Sequence, residues 1–402
     1  MKQKFVLAVI LATILPIYAT DWGVRFHDSF IENFEGSEPR NLEHFRFDGG
    51  GSKVGWQTKI EDGILKMAMN PADRAGAWYG PNYASKDFTY FGRYSLKVKI
   101  PCSQKQPNVG AVVGFYTYYN DEWGSELPPD INRNDLFDNS EIDIEWLIAD
   151  PRIIYLTAWT DYQNFSDGST RFGKIGRIIN MATGQIHSTR FEHTWDWGQG
   201  VNLTSAAENS PSTIRAIPGF DASKNFYTYG FDWHSDNIRW WIINPDNERD
   251  TIVLWDYKGT KGRITQKPAR LMFNFWHTNN WDVHGKPLST QAPTDTFWVE
   301  IDWIKYEKFN DIPTSIENNR RNDSRKNNRK SQANILSIQR FPQNTLIKFD
   351  NLKNAEISLY SLNGRRLFHS PITANEILVP NFRHKTILQI TQNGRTFYRT
   401  VW

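Results

Sequence analysis

Residues Glu141-Ile142-Asp143-Ile144-Glu145 alternate acid and apolar without a break, and Trp146-Leu147-Ile148 follows. A period of two puts alternate side chains on opposite faces of a strand, and no amphipathic helix fits it. Glu141, Asp143 and Glu145 therefore share one face, and Ile142, Ile144 and Trp146 the other. Like charges side by side on one face repel and cost stability. One reading is a solvated acidic strand face. The other is glycoside hydrolysis, whose retaining mechanism needs two carboxyl groups about 5–5.5 Å apart, one as nucleophile and one as acid/base. Positions i and i+4 of a strand have Cα atoms ~13 Å apart, so twist and converging side chains must close that gap. Asp143, between them, is placed to hydrogen-bond either neighbour and to hold their protonation states apart.

The surrounding chain supports many strands. Short alternating segments run between turn signals over Trp56 to Ile60, Gly63 to Met69, Tyr94 to Ile100, Ala111 to Tyr119, Ile153 to Trp159, Phe226 to Trp233, Ile238 to Ile243, Arg270 to Trp276 and Phe297 to Tyr306. No long helical period and no repeat interrupts them, which predicts an all-β sandwich or jelly roll over residues 20–310. Sixteen of the seventeen tryptophans fall there. Sugar rings stack their C–H faces on aromatic rings, although core packing accounts for most tryptophans taken singly. Residues 1–19 carry Lys2 and Lys4 ahead of an apolar run from Phe5 to Leu15 and read as a secretory signal peptide. That run is too short to span a bilayer, and no other segment predicts a transmembrane span. Cys102 is the single cysteine, so the exported fold must rest on its core rather than on an intrachain disulfide.

Glu141-Ile142-Asp143-Ile144-Glu145 resembles the signature of glycoside hydrolase family 16. Kappa-carrageenases and beta-agarases of that family usually carry an extra residue before the last Glu. This chain has none, so it resembles the bacterial lichenases (β-1,3-1,4-glucanases). Phe220 to Trp233, Ile238 to Trp241 and Pro268 to Trp276 are similar to lichenase segments as well. The resemblance implies a concanavalin-like jelly roll of two curved antiparallel sheets with a substrate cleft on the concave side. It implies Glu141 as nucleophile, Glu145 as acid/base and Asp143 as auxiliary carboxylate. It points to Tyr116, Tyr118, Trp159, Asn274, Trp276 and Trp281 as substrate-binding residues. Mixed-linkage glucan is the leading substrate. Laminarin, xyloglucan, an algal galactan and a non-catalytic glycan-binding jelly roll are the alternatives. Departures concern the sugar contacts: Asn82 and Ala84 stand where lichenases carry Glu and Arg, Thr157 and Trp159 where they carry Asn and Tyr, and Asn139 where they carry an aromatic. Asn120 to Asn139 and Asp161 to Pro218 are longer than in lichenases and read as long loops. No cofactor is required for the chemistry. The family resemblance implies a structural calcium at Asp302 and the Gly63 carbonyl, oxygen ligands that suit a hard cation. His234, His277 and His284 lack metal-ligand spacing.

Composition changes after Asn310. From residue 311 on there are 15 Lys/Arg against 6 Asp/Glu, and before it 32 against 38, so a basic tail follows an acidic catalytic region. Residues 311–333 read as a solvated polar linker. Residues 334–402 read as a small β domain with hairpins at Asn363-Gly364 and Asn393-Gly394. This tail resembles the C-terminal secretion or sorting domains of exported bacterial enzymes, which implies the secretion machinery as a partner. A small carbohydrate-binding module is the competing reading, and the lack of a tryptophan cluster weighs against it. No nucleic-acid module accompanies the basic tail. The expected protein is a monomer, secreted or held at the outer cell surface, with polysaccharide as its partner.

Overall fold

The computed structural model describes residues 24–48, 58–71, 80–103, 106–123, 126–127, 136–193, 200–278 and 291–311, and seven strands beyond residue 333. Residues 1–19, expected as a signal peptide, residues 312–333 and Trp281 lie outside the described residues. The chain divides into two compact units, Met1–Glu317 and Asn318–Trp402. Among the described residues no helix is long and apolar enough to cross a membrane.

The first unit opens with β1 (Phe30–Glu32), β2 (Phe45–Phe47), β3 (Thr58–Glu61), β4 (Ile64–Met69), β5 (Asn82–Ser85), β6 (Gly92–Lys99) and β7 (Ala111–Asn120). It continues with β8 (Asn139–Leu147), β9 (Ile153–Asn164), β10 (Thr170–Asn180), β11 (Gln185–Glu192) and β12 (Val201–Asn202). It ends with β13 (Tyr227–Trp233), β14 (Ile238–Ile243), β15 (Thr251–Tyr257), β16 (Arg270–His277) and β17 (Phe297–Lys308). One sheet has the order β15-β14-β13-β6-β17-β4-β3, with β1 also on β17, and the other β12-β11-β10-β9-β8-β7-β16-β5-β2. The acidic segment thus lies on β8, the middle strand of the nine-stranded sheet.

The alternation in β8 decides how that sheet sits. Ile142, Ile144 and Trp146 are 0% exposed and face the eight-stranded sheet. Tyr229 meets Trp146 edge-on at 4.8 Å, and Phe231 meets Phe115 at 5.9 Å. Burying each large aromatic stabilises by about 2–3 kcal/mol, enough in sum to hold three carboxylates on the opposite face of the same strand. Neither partner ladder of β8 shifts register between Glu141 and Glu145, so the unbulged strand expected from the sequence is what forms.

The segment from Asp161 to Pro218 is more ordered than the long loop expected. It completes β9, adds β10, β11 and β12, and so widens the sheet on one side of β8. Arg177 on β10 is 0% exposed and fastens the connection that follows. Its Nε donates to Thr189 Oγ1 at 2.9 Å, Nη1 to the carbonyls of Pro211 and Leu254 at 2.8 and 3.1 Å, and Nη2 to Asn209 Oδ1 at 2.6 Å. Burial pulls its pKa down to about 9.

The second unit holds β18 (Asn334–Arg340), β19 (Asn344–Asp350), β20 (Ala355–Ser361), β21 (Arg366–Ile372), β22 (Glu376–Pro380), β23 (Thr386–Gln392) and β24 (Arg395–Val401). They form a three-stranded sheet, β18-β19-β22, and a four-stranded one, β21-β20-β23-β24. β20 pairs with β21, and β23 with β24 so that Gln392 faces Arg395. Asn363-Gly364 and Asn393-Gly394 themselves lie outside the described residues.

Candidate active site

The open face of the nine-stranded sheet is built in cross-strand rows. In one row Tyr118, Glu141, Trp159, Lys174 and Glu192 stand opposite one another on β7, β8, β9, β10 and β11. The next row holds Tyr116, Asp143, Thr157, Gly176 and Arg190. A third begins Gly114, Glu145 and Tyr155, with Asn274 of β16 on the far side of Gly114. The three acidic residues therefore lie on one face, as the period of two predicts, and β7, β9 and β16 bring the other candidates beside them.

Asp143 is the most enclosed of the three at 3% exposure, while Glu141 and Glu145 are half-buried. The Thr157 hydroxyl donates a short hydrogen bond to Asp143 Oδ2. The Trp159 side chain also hydrogen-bonds Asp143, and so does Glu141. Burial raises the Glu141 pKa well above the usual carboxylate range, and the charges of Asp143 and Glu145 raise it further. Burial, then Asp143, raises Glu145 well above that range, while Lys174 and a hydrogen bond from Trp276 oppose the rise. Burial lifts Asp143 to about 7 against the bonds from Thr157, Trp159 and Glu141. The neighbouring carboxyls add to the effect of burial on Glu141 and Glu145, so the row titrates as a set. One protonated and one ionised carboxyl is the state that acid-assisted displacement requires.

Beside Glu145 the strand partner is Gly114. A Cβ there would lie 2.6 Å from Asn274 Oδ1, so only glycine leaves room for that amide. Asn274 Nδ2 donates to the Tyr116 hydroxyl at 3.2 Å, and the hydroxyl donates to Asn82 Oδ1 at 3.3 Å. Asn274 Oδ1 is buried and accepts no hydrogen bond among the described residues. Asn82, at a position where lichenases carry a charged sugar contact, thus holds Tyr116. Tyr118 meets Tyr116 at 6.5 Å, edge to face. Trp276 packs on an apolar group that includes Val112, Leu147 and Tyr155. Tyr116, Tyr118, Trp159, Asn274 and Trp276 are each half-buried on this face. Trp281 lies outside the described residues.

Asn139, where lichenases carry an aromatic, is 1% exposed and braces the strand rather than facing a ligand. It accepts from Asn120 Nδ2 at 3.1 Å, donates to the Thr160 carbonyl at 3.2 Å, and its backbone N–H meets Asp161 Oδ1 at 3.0 Å. Lys267, also 1% exposed, bridges Asp138 at 2.6 Å and Asp161 at 2.8 Å just beyond. From below, Trp240 Nε1 of the other sheet donates to the Asp143 carbonyl at 3.0 Å.

Sequence reasoning missed Thr157 as a partner of Asp143, Gly114, Trp240 and Lys174. Only Gly114 left a local signal, a glycine inside a strand of aromatic and β-branched residues.

The expected calcium ligands lie away from this face. Gly63 has φ +74° in the turn between β3 and β4, and Asp302 sits at a register shift of β17 against β6. Lys97 Nζ is 2.8 Å from Asp302 Oδ2, so an ammonium already neutralises the carboxylate. Among the described residues no three His, Cys, Asp or Glu side chains form a metal-holding group.

A scan against protein-family models finds no match. Curated relatives do match. The chain is 31% identical over 248 residues to a beta-glucanase of Paenibacillus macerans, covering 62% of this chain and 70% of that one. It is 24% identical over 305 residues to a beta-glucanase of Acetivibrio thermocellus, covering 75% of this chain and 69% of that one. Among solved structures, a β-1,3-1,4-glucanase (lichenase) from a mouse hindgut metagenome aligns with a TM-score of 0.42 at 18% identity, over 70% of this chain and 100% of that one. The Bacillus licheniformis beta-glucanase aligns with a TM-score of 0.41 at 18% identity, over 70% of this chain and 99% of that one.

Proposed function

Because the chain belongs to the beta-glucanases of glycoside hydrolase family 16, we propose that it is an exported endo-acting enzyme that cleaves mixed-linkage β-1,3-1,4-glucan with retention of configuration. The observation that carries the reading is the row Glu141, Asp143 and Glu145 on one face of an unbulged central strand, with Asp143 anchored by Thr157.

In this mechanism Glu145 protonates the glycosidic oxygen while Glu141 attacks the anomeric carbon. The leaving chain departs and a glycosyl ester forms on Glu141. Glu145, now ionised, takes a proton from water, which attacks the same carbon and frees Glu141. Asp143 serves as the local charge that keeps the two carboxyls in different states. Tyr116, Tyr118, Trp159 and Trp276 supply rings for sugar faces, and Asn274 holds the Tyr116 hydroxyl in place. The chemistry calls for no metal or cofactor. The leader-like residues 1–19 and the β-rich tail support export, with the tail read as a sorting domain.

The test is reducing-sugar release by the purified chain from mixed-linkage β-glucan, laminarin, xyloglucan, agarose and carrageenan. Glu141→Gln and Glu145→Gln run beside it. Release from mixed-linkage glucan alone, abolished in both variants, supports the whole reading. Release from laminarin instead keeps the mechanism and replaces the substrate. A folded protein that releases nothing from any of the five is a glycan-binding jelly roll or acts on another glycan.

A further inference from the structure

The row Tyr118–Glu141–Trp159–Lys174–Glu192 places a lysine two strands from the proposed nucleophile, with an indole between them. Neighbouring strands are about 4.8 Å apart, so the Lys174 and Glu141 backbones are roughly 10 Å apart, within reach of a lysine side chain. The Lys174 ammonium sits 4.8 Å from the centre of the Trp159 ring. Glu192 lies on its other side, with Oε2 3.6 Å from Nζ, and Arg190 Nε is 3.3 Å from Glu192 Oε1. Arg190 is itself tied to the Gly200 carbonyl at 2.6 Å. Lys174 is 7% and Glu192 1% exposed. Such burial weakens screening, so the charges act on their neighbours.

The β9–β10 ladder shifts register between Phe172 and Lys174, where Gly173 N–H donates to Thr160 Oγ1 at 2.8 Å. Irregularities of this kind re-aim side chains beside active sites. Phe172 meets Trp159 edge-on at 5.4 Å, so the indole is held from two sides while it hydrogen-bonds Asp143.

We propose that Lys174 is a positioning residue of the reaction. Its ammonium, held over Trp159 beside the buried Glu192, is the built-in counter-cation of the Glu141–Asp143–Glu145 row. The titratable and charged groups in the cross-strand rows around it are those three carboxyls on β8, Tyr116 and Tyr118 on β7, and Glu192 and Arg190 on β11. The Lys174 charge lowers the pKa of each of the three carboxyls, and burial lowers its own. The cation thereby keeps one carboxylate of the row available as a nucleophile at neutral pH. Glu192, Arg190 and Lys174 all lie on the strands contributed by the segment 161–218, so the widened sheet has a task in the site.

The inference rests on Glu141 and Glu145 carrying the chemistry, and the experiment separates the two. The pH profile of kcat/KM on mixed-linkage β-glucan is measured for the parent, Lys174→Met, Lys174→Arg and the double variant Lys174→Met/Glu192→Gln. Unfolding is followed across the same pH range. Loss of the cation moves the acid limb up by about one pH unit in Lys174→Met. The double variant, which removes both charges of the Lys174–Glu192 pair, moves it in the same direction, and Lys174→Arg keeps it near the parent. A limb that stays in place in folded Lys174→Met and in the double variant, with activity reduced equally at every pH, overturns the proposal and leaves Lys174 a packing residue. Activity that survives Glu141→Gln or Glu145→Gln overturns the underlying reading instead.

Discussion

The indole Nε1 of Trp240 donates to the backbone carbonyl of Asp143 at 3.0 Å, reaching from the eight-stranded sheet to the strand that carries the acidic row. Trp240 also stacks on Trp255 at 5.0 Å, so its ring is fixed before it makes that bond. Trp240→Phe keeps most of the packing and loses the donor. The expected outcome is a loss of about 1–3 kcal/mol in urea unfolding, with a few-fold fall in kcat. Equal stability in the variant would show that the bond contributes nothing net.

Asp143 tests the electrostatic cost of the row. Its folded-state pKa is raised to about 7, mainly by burial. A raised carboxylate binds its proton in the folded state where the unfolded chain has lost it. Its contribution is therefore most favourable below the unfolded value and declines as pH rises toward about 7. Asp143→Asn removes that decline. The variant should be more stable than the parent at pH 8, by on the order of 2 kcal/mol, and the difference should vanish below pH ~4. Hydrolysis should fall sharply in the same protein. Calorimetry across pH decides it: a difference that does not depend on pH points to packing, not charge.

His277 behaves in the opposite sense. It is 1% exposed, and burial pushes its pKa down to about 4. Neither ring nitrogen makes a hydrogen bond of full geometry among the described residues. The folded state holds the ring neutral, so its share of stability is complete above the unfolded value near 6.5 and shrinks as pH falls toward about 4. His277→Leu should flatten the acid side of the stability curve, a relative gain of about 3 kcal/mol by pH 4. Parallel curves for the two proteins between pH 7 and 4 would rule this out.

Gly114→Ala probes the close approach beside Glu145. The added methyl would lie 2.6 Å from Asn274 Oδ1 and must push that amide off the Tyr116 hydroxyl. Because the obstacle is the end of a flexible side chain, the melting temperature should change little. Misplacing a positioning group by about 1 Å should lower kcat/KM roughly ten- to hundredfold. A large fall in melting temperature with intact kcat/KM would mean the glycine serves packing alone.

How much was legible follows the reach of each signal. The alternation Glu141 to Glu145 specified a strand, its buried face and the shared acidic face, because side-chain direction along a strand depends only on the residue's parity. The same reasoning read most strands of the first unit. It failed on Asp161 to Pro218, expected as a loop, because a glycine-punctuated strand such as Thr170–Asn180 gains its stability from neighbours rather than from its own composition. The ion pair of Asp302 with Lys97 left no local signal, because the lysine is about 200 residues earlier in the chain.

The sequence alone therefore determined which residues are acidic, apolar or aromatic and which of them share a face. Only the tertiary structure decided which strands stand side by side. Thr157 and Asp143 are brought together by a hairpin, Gly114 and Asn274 by a pairing across 160 positions, and Trp240 and Asp143 by the packing of two sheets. Burial beneath that packing and the charges of neighbouring carboxyls raise the pKa values of the acidic row, and the bond from Thr157 opposes the rise at Asp143; both act through space and leave no mark on local sequence.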